Sequence, residues 1–155
     1  TIGGLQNLLA ASGGPRVELR LVLHRLNIAG LRGMLEFLRK TFSATGAYRV
    51  VAVHYEIEGK SLENHQKLSL KLSASARAVN SAAALIEAFP DFRLYHFPLC
   101  LISGKLRNRC WITLPPEDRV YPEKCGRCAL RTGCLGLMKE YYEKFGDGEL
   151  TPVNV

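Results

Sequence analysis

No phosphate-cradling glycine loop, no G-x-S-x-G nucleophile elbow and no H-x-x-x-H pair occurs in these 155 residues. Those absences remove P-loop nucleotide binding, the α/β-hydrolase mechanism and the helical zinc-protease arrangement from the readings open to the chain. No apolar run is long enough to span a bilayer, no secretory signal opens the N-terminus, and no membrane partner is expected. Basic residues never gather into a run. Residues 1–95 carry 12 basic and 7 acidic side chains and residues 96–155 carry 9 and 7, so the formal charge of +7 is spread thinly. Without aromatic–basic interleaving this reads as a solvated basic surface rather than a nucleic-acid face. An apolar content of 47% excludes disorder, and neither an internal repeat nor a low-complexity tract is present.

What the chain does have is cysteine in the wrong arrangement for disulfides. Cys125, Cys128 and Cys134 stand at C-x2-C-x5-C, within a total of five cysteines. A C-x2-C turn brings two sulfurs close enough to share a metal ion or an iron–sulfur cluster. Gly126 and Gly133 supply the backbone freedom of such a turn. The odd count and the clustering fit a reducing, cytoplasmic compartment better than a secreted disulfide scaffold. A fourth thiolate has to come from Cys100 or Cys110.

The body reads as α/β. Leu5, Leu8 and Leu9 share a helical face, and Ser12-Gly-Gly-Pro15 breaks the pattern. Val17–His24 alternates as a strand, with Val17, Leu19, Leu21 and Leu23 on one side and Glu18, Arg20, Val22 and His24 on the other. Asn27 is placed to N-cap a helix whose stripe is Leu31, Met34, Leu35, Leu38 and Phe42, with Gly46 closing it. Val50–Ile57 is almost continuously apolar, as a strand buried on both faces is. Strand, amphipathic helix and buried strand predict a βαβ unit with parallel strands. Residues 60–75 are polar and serine-rich and predict a long connection with room for one short element. Ala78, Val79, Ala82, Leu85, Ile86 and Phe89 then mark a second crossover helix ended by Pro90, before a third strand over Phe92–Phe97. Residues 102–121 read as loop, and Leu135, Met138, Tyr141, Tyr142 and Phe145 as a short helix ending near Gly146.

Ligands of parallel α/β sheets bind at the C-terminal strand ends. Glu56 and Glu58 leave the second strand there, either to orient a ligand or merely as solvated residues. Cys100 follows the third strand at the same edge, which favours it over Cys110 as fourth ligand. His24, His54 and His96 each fall on or beside a strand, where packing or hydrogen bonding is the default role for a histidine. His65 is the fourth histidine.

Several stretches, in order, resemble the C-terminal part of a radical S-adenosylmethionine (SAM) enzyme. They are VELRLVLHRLN at 17–27, VAVHYEIEGKSLEN at 51–64, and YHFPLC at 95–100 followed by Cys125, Cys128 and Cys134. The likeness is to the His-Xaa-Ser system radical SAM maturases, which modify peptides, with a tail similar to the SPASM type of auxiliary domain. No C-x3-C-x2-C motif for the SAM-cleaving cluster is among these residues, and Leu135–Met138 follow where a SPASM tail continues with another cysteine. The resemblance implies the C-terminal portion of a partial (β/α) barrel at 1–97 and a cysteine-rich loop/helix module at 98–155. It implies an auxiliary 4Fe-4S cluster on Cys100, Cys125, Cys128 and Cys134, with Arg20 and Glu56 near SAM or substrate. It also implies a peptide or small-molecule substrate, an electron donor, and SAM chemistry in a longer chain. Opening on Thr1 directly before a helical pattern agrees with a piece of a longer protein. The competing reading is a small basic α/β binding module whose four thiolates hold structural zinc, since both groups accept four cysteines.

Overall fold

The computed structural model describes residues 2–11, 17–42 and 48–153. Four strands, β1 (Val17–Leu23), β2 (Tyr48–His54), β3 (Phe92–Tyr95) and β4 (Cys110–Trp111), form one parallel sheet in the spatial order β1-β2-β3-β4. Each strand is thus added beside its predecessor. Helix α1 (Ile2–Ala10) precedes β1, and α2 (Leu31–Phe42) crosses from β1 to β2. Four short helices connect β2 to β3: α3 (Gly59–Glu63), α4 (His65–Leu68), α5 (Leu72–Ser81) and α6 (Ala83–Glu87). A two-stranded antiparallel ribbon, β5 (Arg119–Val120) with β6 (Leu137–Met138), and helix α7 (Lys139–Phe145) complete the chain. Among the described residues no helix is long and apolar enough to cross a membrane.

The α/β class with parallel strands follows the alternation in β1 and the apolar run in β2. Pairing sets Leu21 beside Ala52 and Ala52 beside Leu94 on one face. That face packs under α2, whose Leu31, Leu35, Leu38 and Phe42 are buried. Each such side chain contributes about 1.5–3 kcal/mol by leaving water. On the opposite face Arg20 pairs with Val51, and Val22 with Val53 and then Tyr95. Val51, Val53 and Tyr95 make a second, separate apolar cluster there. Along the same face Glu18, Arg49, Asp91 and Arg93 form a chain of ion pairs, and the Arg93 guanidinium lies 3.6 Å from the centroid of the Trp111 ring. The main core also takes in Leu137, Met138, Tyr141 and Leu150, so it runs across residue 97, where the sequence pattern divides.

Four local expectations change. Asn27 does not cap α2. Its Oδ1 accepts the His24 N–H at 2.9 Å and its Nδ2 donates to the Val22 carbonyl at 2.7 Å, closing a turn before a 3-10 turn over Ile28–Gly30. The serine-rich connection is largely helical: α3 and α4 lie within it, and α5 begins at Leu72, where Leu72, Ala76 and Val79 recur on one buried face and Ser75 is buried with them. The expected single helix is two, broken at Ala82, whose φ of −94° and ψ of 9° leave the helical range. Residues 102–121 hold β4 and 3-10 turns rather than loop alone. Helix α7 ends at Phe145 with Gly146 as its C-cap at φ 66°, as its sequence indicates. The breaks at Ser12–Pro15 and Gly46 lie outside the described residues.

Candidate metal centre and adjoining cleft

Tight turns deliver the cysteines. Cys100 sits in the 3-10 turn Leu99–Leu101 directly beyond β3 and Pro98. Cys125 lies in the 3-10 stretch Glu123–Arg127, and Cys128 is its C-cap. Cys134 follows the turn Arg131–Gly133. Backbone bonds Cys125 N–H to Pro122 O (2.8 Å), Cys128 N–H to Cys125 O (3.2 Å) and Cys134 N–H to Arg131 O (3.2 Å) hold these turns. Cys100, Cys125, Cys128 and Cys134 line one void of about 20 Å³, whose other walls include Pro98, Tyr121 and Leu130. The Cys134 Sγ accepts the N–H of Leu99 at 3.3 Å and that of Gly136 at 3.4 Å. Two amide donors on one sulfur are the setting that stabilises a thiolate. Gly136 has φ +78°, and a Cβ there would come within 2.5 Å of the Val120 carbonyl, so glycine is what allows this amide so near β5.

Burial pushes the Cys100 and Cys125 thiols upward, and the neighbouring cysteine sulfurs add to the shift in both cases. Cys110 does not line the void. It sits on β4 with its Sγ 3.9 Å from the Leu106 carbonyl, and burial pushes it up to about 12, with Cys134 a smaller contributor. Among the described residues no group of three or more His, Cys, Asp or Glu side chains is set to hold a metal ion as it stands. What the four cysteines share is a void with an apolar wall and two amide donors on the Cys134 sulfur.

A larger cleft, about 850 Å³, opens at the C-terminal strand ends. Arg20, Glu56, Glu58, Lys60, Tyr95 and His96 are among its lining residues. Arg20 and Glu56, the two positions expected near a ligand, are therefore brought together. The Arg20 Nε donates to Glu18 at 2.6 Å, and its guanidinium lies 5.9 Å from the Tyr95 ring centroid. The Ser61 hydroxyl accepts the Glu58 N–H at 3.1 Å and bonds to the Glu56 carbonyl, fixing the loop that carries both acids. The Glu58 carboxyl is held above its ordinary range, first by its hydrogen bond to Glu56 and then by repulsion from that carboxylate. Glu56 and Glu58 also face a small hollow of about 70 Å³ with Asp118, Met138 and Glu140, which brings the β5/β6 ribbon beside the cleft.

His96 is the residue whose place the sequence least indicates. It is 4% exposed, and among the described residues it is the one non-glycine with a positive φ, 66°. A left-handed conformation costs an L-residue about 1–2 kcal/mol. Its Nδ1 lies 3.2 Å from the His54 carbonyl oxygen and 3.3 Å from Glu56 Oε1, and its Nε2 lies 3.3 Å from Thr113 Oγ1. A histidine directly past a strand end was the available signal. The partner Thr113 comes from an irregular segment that periodicity does not describe. His54, by contrast, points into the core: Nδ1 meets Ser75 Oγ at 2.8 Å, and Nε2 has no hydrogen-bond partner among the described residues. His24 accepts the Leu26 N–H on Nδ1 at 3.2 Å, and the His65 ring meets that of Phe145 at a tilt, centroids 5.8 Å apart.

The fold and the site define an α/β protein with a parallel sheet, a cleft at its C-terminal edge and a cysteine-lined void next to it. His96 lines the cleft and Pro98 the void, two residues apart. No family model, no curated protein and no solved structure matches the chain.

Proposed function

We propose that Cys100, Cys125, Cys128 and Cys134 bind a 4Fe-4S cluster, and that the chain is the C-terminal part of a radical SAM enzyme that modifies a peptide or protein. The observation that carries this reading is the shared void: Cys100 lies far from the other three in sequence and lines the same cavity. The strand order, in which each parallel strand is added beside the last, is also that of a (β/α) barrel segment. A cluster held by all four of these thiolates would supply a one-electron relay beside the substrate. Arg20 presents a guanidinium and Glu56 a carboxylate to the cleft, suited to the carboxylate and ammonium ends of SAM or of a peptide substrate. Tyr95 and Val53 give the cleft its apolar wall. SAM cleavage belongs, in this proposal, to a C-x3-C-x2-C cluster on a longer chain supplied with an electron donor in a reducing cytoplasm.

Anaerobic iron and sulfide reconstitution tests the assignment. The expected result is brown protein with about four irons and four sulfides per chain. Colourless protein that excludes iron and takes one equivalent of zinc instead makes the tail a structural knuckle on an α/β binding module.

A further inference from the structure

We propose that His96 is an acid–base residue of the cleft, accepting a proton on Nε2 from a substrate hydroxyl or ammonium group that displaces Thr113, with Glu56 as its positioning residue. This goes beyond the cluster assignment and does not depend on it.

The tautomer follows from the neighbours. Both groups facing Nδ1 are acceptors: the His54 carbonyl at 3.2 Å and Glu56 Oε1 at 3.3 Å. The ring proton therefore sits on Nδ1, and Nε2 carries the lone pair. Thr113 Oγ1, 3.3 Å from Nε2, then donates its hydroxyl hydrogen to that lone pair. Hydroxyl, imidazole and carboxylate stand in the sequence used to draw a proton from a reacting group. The carboxylate on the far nitrogen holds the ring's orientation and stabilises the imidazolium formed when Nε2 takes a proton.

The backbone points the same way. A left-handed histidine is strained, and residues held in such conformations cluster where a side chain must be presented in one direction. The ring is almost buried, yet it lines the cleft.

Charged and titratable groups line the cleft with it: Arg20 on β1, His54 on β2, Glu56, Glu58 and Lys60 after it, and Tyr95 on β3. Burial, aided by Arg20, holds the imidazole below its ordinary value, while the His54 carbonyl and Glu58 oppose that shift. The ring is thus neutral and able to act as a base near neutral pH. One proton moves from the substrate heteroatom to Nε2 while its electron pair stays on that atom. Arg20 lines the same cleft, where a guanidinium favours negative charge developing on that atom, and the reverse transfer restores the neutral ring.

The test uses the full chain with 15N-labelled histidine, together with diethyl pyrocarbonate, which acylates an unprotonated, reachable imidazole nitrogen. NMR is expected to show His96 neutral at pH 7 with the proton on Nδ1 and a midpoint below the ordinary histidine value of 6.5. Glu56→Gln is expected to move that midpoint lower still, and a histidine not paired with that carboxylate would not respond. Peptide mass mapping is expected to find the adduct on His96 as well as on His24 and His65, and faster on His96 in Thr113→Val. His96→Asn, which tolerates a positive φ, keeps the circular dichroism spectrum and loses that adduct. The proposal is overturned by a proton on Nε2, by a midpoint indifferent to Glu56→Gln, or by His96 staying unmodified while His24 and His65 react.

Discussion

A neutral histidine with no water around it makes His54 a stability sensor for pH. The residue is fully buried, and burial, with a smaller push from His96, lowers its pKa from 6.5 to about 3. The unfolded chain binds a proton as pH falls through 6.5, and the folded chain refuses it until about 3. Stability therefore rises with pH across that window and is lost on acidification, by an upper limit of roughly 4–5 kcal/mol for this one group. Urea unfolding at pH 7 and pH 4.5 measures the loss directly. The double variant His54→Leu/Ser75→Ala removes both ends of the buried hydrogen bond, so it should leave no unsatisfied partner. Its stability is expected to vary less between the two pH values than that of the parent, with the remaining slope owed to His96 and the carboxylates. An undiminished slope in the double variant would show that His54 is not the group responsible.

At the scale of elements, α5 depends on partners that its own sequence does not contain. The first N–H groups of a helix lack intrahelical acceptors. Here the Leu72 N–H donates to the Tyr141 hydroxyl at 2.9 Å and the Ser73 N–H to Glu149 Oε2 at 2.7 Å, while the Tyr141 hydroxyl donates to Glu149 Oε1 at 2.5 Å. The C-terminal helix and its following turn thus cap a helix of the βα body, and the carboxylate also meets the positive end of the α5 dipole. Burial alone would raise Glu149, but the bonds from Ser73 and Tyr141 hold it below its ordinary value of 4.5. Its contribution is present above that pH and is lost as pH falls through the lowered value. Glu149→Ala is expected to cost about 1–2 kcal/mol in chemical denaturation at pH 7, and Tyr141→Phe a comparable amount. The two losses should be clearly less than additive, because one network is broken in both. Full additivity would mean that the two contacts act separately. The same network explains what the sequence withheld. Helix α2 is legible from Leu31, Leu35, Leu38 and Phe42, and β2 from its apolar run, because both signals are local. Helix α5 begins among serines that look like linker, and its cap arrives from 69 and 76 residues away. Glu56 could be placed at the cleft because it follows a recognisable strand. His96 could not be given its role, since that rests on one backbone angle and on Thr113 from an irregular segment.

At the scale of the whole molecule the proposed metal site needs a fourth cysteine, and the fold separates the two candidates. Cys100 leaves the rigid end of β3 and lines the void with Cys125, Cys128 and Cys134, while Cys110 packs from β4 beside Leu106. Metal binding that involves loops from residue 98 to 136 has to be coupled to their order, because the sulfurs are delivered by five- and three-residue 3-10 turns with little apolar burial of their own. A group bound at a thousand times its dissociation constant adds about 4 kcal/mol to the folded state. Reconstituted protein is therefore expected to melt well above the metal-free form, and a chelator should reverse the gain. Cys100→Ser, like serine at 125, 128 or 134, should lower bound iron and abolish most of that difference. Cys110→Ser should cost stability in both forms equally, by about 1 kcal/mol for a polar hydroxyl in a mostly buried thiol's place, with iron content unchanged. Iron analysis and thermal melts of the five single variants decide the matter. If Cys110→Ser strips the metal while Cys100→Ser keeps it, the centre is a self-contained knuckle detached from the β3 edge, and zinc becomes the group to load.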